Sequence, residues 1–131
     1  MSVFEVTKEL KMRWLSNKYH FVVCNFANLD MVGHTGNFEA AVRACEAVDA
    51  CVGEVMKFVD KRDGRLFVTA DHGNADEMID DTGGVHTAHS KNPVAFVWYE
   101  KDKNLPELKK AREIRRHSPY YFTVMGRSNT I

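Results

Sequence analysis

Bulk charge is the first thing this chain lacks. Its 131 residues carry 18 basic and 18 acidic side chains, a formal net charge of zero. No overall field is left to gather nucleic acid or an acidic membrane surface, so neither partner is expected. Long hydrophobic runs are also missing: no stretch approaches the roughly 18 apolar residues that a membrane span requires. The opening "MSVFEVTKELKMRWLSNKYH" has no apolar stretch of signal-peptide length. Cysteine is scarce. Cys24, Cys45 and Cys51 are odd in number and lie inside apolar patterns. Cys45 and Cys51, six apart, point in different directions on a helix, and no cysteine sits in a Cys-x-x-Cys pair. A disulfide framework and a structural zinc site are both excluded on these grounds, and a reducing, cytoplasmic location is expected. There is no internal repeat and no low-complexity tract.

What is present is the composition of one soluble domain, 44% hydrophobic and 27% charged. A chain of this length can bury roughly two-thirds of its unfolded surface. Val3–Ser16 reads as a helix with Val3, Val6, Leu10 and Trp14 on its apolar face. "YHFVVCNFAN" (Tyr19–Asn28) holds an apolar run suited to a buried strand, and "LDMVGHTG" reads as a loop. From Phe38 the residues Ala41, Val42, Cys45, Val48, Val52, Val55, Met56 and Val59 recur at spacings of three and four. They predict a long helix with Asn37 as its N-cap and Glu39–Arg43 as an i,i+4 pair. "KRDGR" is a turn in which Gly64 is expected to take a positive φ. Leu66–Ala70 and "PVAFVWY" (Pro93–Tyr99) read as the second and third strands. Strand, long helix, strand predicts a right-handed crossover and a parallel pair, so the class is α/β. The remainder differs in kind: Glu107–His117 is a basic, helix-like piece with five basic residues against two acidic ones, followed by an aromatic patch. The division expected is residues 1–99 and a basic, aromatic tail over 100–131.

Two strands end alike. The first delivers Asp30 and, four residues on, His34, in "DMVGH"; the second delivers Asp71 and His72. In parallel α/β sheets ligand sites lie beyond the carboxyl ends of strands. His86 and His89, in "HTAHS", stand just before the third strand. Gly33 and Gly73 adjoin these residues, where a chain turning tightly wants no Cβ. Neutral imidazole with carboxylate suits Zn²⁺, Mn²⁺, Co²⁺ or Fe²⁺, and a two-metal site can clamp a phosphoryl group. An isolated Asp-His pair is ordinarily a plain loop; two such pairs after apolar strands, beside a His-x2-His, point to metal. His20 and His117 read as surface residues. His86 reads as an outer contact, a substrate contact or plain loop. Asp76, Glu77, Asp80 and Asp81 read as a solvated acidic face.

Three stretches, "NFANLDMVGHTGNFEAAVRACEAVD", "VTADHGNADEM" and "HTAHSKNPVAF", closely resemble the metal-binding half of the cofactor-independent phosphoglycerate mutase family, within the alkaline phosphatase superfamily. The likeness runs from about Val3 to Trp98. It implies part of an alkaline-phosphatase-like three-layer α/β/α sandwich with a mainly parallel sheet. It implies that Asp30, His34 and His89 hold one divalent metal and that Asp71 and His72 contribute to another. The metal implied is Mn²⁺, with Mg²⁺, Co²⁺ or Zn²⁺ as alternatives. The activity implied is the glycolytic interconversion of 2- and 3-phosphoglycerate through a phosphoserine.

The departures from the family matter as much. The family enzyme is several times longer. Its early Asp-Ser motif, which supplies the nucleophilic serine, has no counterpart here. The serines at hand are Ser2, Ser16, Ser90, Ser118 and Ser128, and none follows a strand in a nucleophile-like context. The inserted substrate domain is missing as well. The family's final helix and tail are echoed only by "MGRS" (Met125–Ser128). A fragment inactive on its own is therefore expected. The competing expectation is a non-catalytic metal-binding remnant or interaction module that pairs through an exposed sheet edge.

Overall fold

In the computed structural model, residues 2–104 and the backbone of residues 123–127 are described. The basic piece at 107–117, His117 and most of the aromatic patch lie outside them. Helix α1 (Val3–Leu15) buries Val3, Thr7, Leu10 and Trp14, at spacings of four, three and four. The expected face is shifted by one position: Val6 is exposed, and Thr7 is tolerated inside because its hydroxyl donates to the Val3 carbonyl at 2.8 Å. Strand β1 (Phe21–Cys24) is followed by a short helix, α2 (Asn28–Gly33). The loop expected over "LDMVGH" is thus helical. The long helix α3 (Phe38–Asp60) starts as expected, with the Asn37 side chain accepting from Ala40 N–H at 2.9 Å and Glu39 pairing with Arg43. Its buried residues are Ala41, Cys51, Val55 and Val59; Val42, Cys45 and Met56 are exposed.

The turn after α3 places its positive φ on Asp63 (49°), not on Gly64, which opens strand β2 (Gly64–Thr69). Strand β3 is Phe96–Glu100, shorter than expected, since Pro93 has no N–H to give to a ladder. Strand β4 is Thr123–Arg127. The sheet order is β1-β4-β2-β3, and every pairing in it is antiparallel. The expected parallel pair is therefore not formed, because β4 takes the place between β1 and β2. Both of those strands run antiparallel to β4, so they point the same way without touching.

The core lies on one face of this sheet. Trp14 of α1, Cys51, Val55 and Val59 of α3, Cys24 of β1 and Leu66 of β2 form one buried cluster, with Trp14 and Phe58 edge to face at 6.5 Å. Burial, with neighbouring Cys51, pushes the Cys24 thiol up to about 11, and all three cysteines are free. On the other face Phe67 packs beside Phe96 and Trp98. Phe21, Val23 and Phe96 stay exposed. Among the described residues the fold is mixed α/β, a helical layer on a small antiparallel sheet.

The antiparallel direction of β3 decides which ends of the strands gather. Thr69, the last residue of β2, pairs with Phe96, the first of β3. Segments that follow β1 and β2 and the segment that precedes β3 therefore meet at one end of the sheet. A parallel β3 would have carried His89 to the opposite end.

Candidate metal centre

At that end the chain assembles five donors from three segments. Asp30 lies in α2 and His34 caps it, four residues on, so the two side chains share one side of the helix. His89 arrives on the segment before β3. The three ligand atoms lie within 4.8 Å of one another. His34 Nε2 is 3.3 Å from Asp30 Oδ1, His89 Nε2 is 3.3 Å from the same oxygen, and the two Nε2 atoms are 3.2 Å apart. Donor atoms placed ~2.1 Å from one tetrahedral ion stand about 3.4 Å from each other, so the triangle has the size of such a shell.

The tautomers point the same way. His34 Nδ1 lies 2.6 Å from the Thr87 carbonyl. A carbonyl only accepts, so Nδ1 carries the proton and Nε2 offers its lone pair. His72 Nδ1 makes the same kind of contact with the Gly73 carbonyl at 3.2 Å. Its Nε2 stands 3.9 Å from Asp30 Oδ1 and 3.7 Å from Asp71 Oδ2, and its ring stacks on His89 with centroids 3.6 Å apart. Asp71 is the most enclosed of the five, with a side-chain exposure of 9%. Both of its carboxylate oxygens are buried without a hydrogen-bond partner among the described residues. An anionic group left so is costly unless a cation completes it. The donor set, acceptor-rich and converging, fits divalent metal.

The neighbours show what residue spacing alone missed. Asn74 is buried and its Nδ2 lies 3.4 Å from Asp30 Oδ1. A Cβ on Gly33 would stand 1.7 Å from Asn74 Oδ1, so this glycine is required by close approach, not by a positive φ. The position of Asn74, directly after the Asp-His-Gly turn, was the available signal. His86 braces the loop: its Nδ1 meets the Glu77 carbonyl at 2.8 Å. The acidic run is not a uniform solvated face. Asp80 Oδ1 accepts from Thr82 N–H, the Thr82 hydroxyl and Gly84 N–H. Asp76 accepts from Ser90 and Asn92. Burial pushes the Asp76 carboxyl up, but hydrogen bonds from Asn92, Ser90 and the backbone of Asp76 and Asn74 outweigh it and hold it below the usual carboxylate range.

The profile of the metalloenzyme superfamily matches residues 1–118. The chain belongs to the metalloenzyme superfamily. Among the superfamily's curated proteins it is similar to the 2,3-bisphosphoglycerate-independent phosphoglycerate mutase of Clostridium perfringens (strain SM101 / Type A), 51% identical over 127 residues, 96% of this chain and 25% of that protein. The protein of the same name from Psychromonas ingrahamii is 50% identical over 106 residues, 80% of this chain and 21% of that protein. The 2,3-bisphosphoglycerate-independent phosphoglycerate mutase 2 of Methanosarcina barkeri is 54% identical over 100 residues, 76% of this chain and 19% of that protein. The chain thus spans a quarter or less of the length of these superfamily members. The Clostridium match covers 127 residues, so it runs well past the three stretches that end before Trp98.

Proposed function

We infer that this chain is part of a 2,3-bisphosphoglycerate-independent phosphoglycerate mutase and supplies the whole of one metal site and a share of a second. The observation that carries the reading is the closed triangle of Asp30, His34 and His89. These three would hold one divalent ion; Asp71 and His72 would contribute to the other. Mn²⁺ is the ion proposed, with Mg²⁺, Co²⁺ or Zn²⁺ able to fill the same nitrogen and oxygen donors. When bound, such ions favour an alkoxide nucleophile and neutralise charge on a transferring phosphoryl group. The chain's own residues do the holding. The Thr87 carbonyl fixes the His34 tautomer, Asn74 steadies Asp30, and the His72–His89 stack sets the spacing of the two sites.

The whole enzyme would interconvert 2- and 3-phosphoglycerate in the cytoplasm, through a phosphoserine. No helix of the described residues is long and apolar enough to cross a membrane. The shared direction of β1 and β2 supports a place in a larger, mainly parallel, three-layer α/β/α sheet. Residues 1–99 would be its metal-binding part. Residues 100–131 would be its basic, aromatic tail, from which β4 joins the sheet.

The 131-residue chain by itself should not turn over phosphoglycerate, because it has no serine in the family's nucleophile context. A coupled mutase assay on the purified chain with Mn²⁺ tests this, and measurable turnover would sink it. Metal analysis tests the site: His89→Ala and Asp30→Ala should lose bound metal, and His20→Ala, an exposed residue, should keep it. Equal content in all three would defeat the assignment.

A second reading, a non-catalytic metal-binding or interaction module, is favoured by the edges. The edge strands β1 and β3 expose Phe21, Val23, Phe96 and Val97. Light scattering of the purified chain separates the two, since this second reading requires association.

A further inference from the structure

Outside the β-strands, Gly73 and Ser90 form an isolated antiparallel bridge, with Ser90 N–H donating to the Gly73 carbonyl at 2.9 Å. Each follows a histidine of the centre, His72 and His89. The bridge is fastened from one side by Asp76. The Ser90 hydroxyl, in a buried residue, donates to Asp76 Oδ2 at 2.9 Å, and Asn92 Nδ2 donates to the same oxygen at 2.7 Å. No side chain fits at Gly73: a Cβ there would stand 2.1 Å from Ser90 Oγ and 2.6 Å from Asp76 Oδ1. Two hydrogen bonds therefore converge on one carboxylate, with Gly73 packed close beside it, and Gly73 and Ser90 each follow one of the two stacked imidazoles.

We propose that Asp76 is a positioning residue of the metal centre: by holding Ser90 and Asn92 it fixes the backbone that carries His89 against the turn that carries His72. It is not itself a ligand. The proposal rests on the reading of His89 as a metal ligand. Ser90 is the direct link. Its backbone is bonded to the His72 turn and its side chain to Asp76, so rotation of the His89 segment must break both. Without Asp76 the Ser90 hydroxyl loses its acceptor, and the segment regains the freedom to turn His89 out of the triangle. Outer partners of this kind are typically worth about tenfold to a hundredfold in metal affinity.

The test uses the full chain and two readouts. One is the imidazole Hε1 resonances of the metal-free protein. The other is the affinity for Mn²⁺ alone, by calorimetry. Asp76→Ala and Ser90→Ala should each move the His89 resonance, leave that of His20 in place, and weaken Mn²⁺ binding about tenfold to a hundredfold. The double variant should be no worse than Asp76→Ala. Asp76→Asn keeps an acceptor for Asn92 and for Ser90, and should restore most of the affinity. An unmoved His89 resonance in folded Asp76→Ala overturns the proposal, as do losses that multiply in the double variant. If Asp76→Ala does not fold, Ser90→Ala carries the test: an unmoved His89 resonance in it, or unchanged Mn²⁺ affinity, overturns the proposal. A wild-type chain that takes up no Mn²⁺, while His89 still moves in the variants, defeats the metal reading and leaves the positioning role standing.

Discussion

The two halves of the candidate centre lie side by side and are built on different plans. Asp30, His34 and His89 come from segments far apart in the sequence. Their side chains are 22%, 44% and 45% exposed, and they close on one another within 3.2–3.3 Å. Asp71 and His72 are neighbours in the chain and more deeply set, at 9% and 16%, yet among the described residues the Asp71 carboxylate has no hydrogen-bond partner. The half that needs the fold to bring it together is self-sufficient. The half already written as a dipeptide is incomplete. Contiguity in sequence supplies ligands; only packing of separate segments supplies a shell.

The largest effect should come from removing one ligand from each half. His89→Ala is expected to abolish stoichiometric Mn²⁺ uptake by this chain. His72→Ala, which costs the first half only its stacking neighbour, should weaken uptake by about tenfold or less. Elemental analysis and calorimetry measure both, and equal losses would erase the asymmetry. Next comes Gly33→Ala. Its Cβ would collide with the buried Asn74 side chain, which has nowhere to retreat, so a loss of about 1–3 kcal/mol in urea unfolding is expected. Because Asn74 touches Asp30 and adjoins the His72 turn, both halves should loosen together. A third substitution runs the other way. Asp71→Asn removes a buried charge that has no hydrogen-bond partner among the described residues, so the metal-free chain should gain about 1 kcal/mol in EDTA. Asp30→Asn, at a more open group, should change it by less than about 0.5 kcal/mol. A thermal midpoint that falls for Asp71→Asn would mean the carboxylate is already satisfied. The smallest effect on the centre is expected from Asn37→Ala. The lost cap should cost about 1 kcal/mol of stability, yet metal uptake should be unchanged, because Asn37 touches neither half.

The candidate ligands stood out in the sequence because two Asp/His pairs follow apolar runs beside a His-x2-His, and the fold brings Asp30, His34 and His89 together. The frame of α3 was legible from its spacing and its Asn37 cap. The individual faces were less so. Thr7 can be buried because its hydroxyl bonds backward to Val3, an option that hydropathy patterns do not register. Strand pairing was less legible: β1 and β2 point the same way, as expected, but they do not touch. "TVMGR" (Thr123–Arg127) has no alternation to mark it as a strand, yet it separates β1 from β2. The Asp76–Ser90 contact spans fourteen positions and exists only after the loop has folded back. The candidate donors could be picked out from the sequence; the contacts that orient them belong to tertiary structure.

The central position of β4 has a consequence for how this protein reaches its fold. Among the described residues the strand partner of Phe21 is Gly126, 105 positions later in the sequence (126 against 21). Sheets closed by such distant pairings pay loop entropy before they gain contacts, and they form slowly. As this chain folds, the β1–β4 pairing therefore waits until α3, β2 and β3 have been made, with Phe21 and Val23 exposed in the meantime. The helices can nucleate early, and the sheet is the last part to be sealed. A time-resolved folding experiment on this chain should see helix before strand, and aggregation in that interval should fall when β1 is made less sticky.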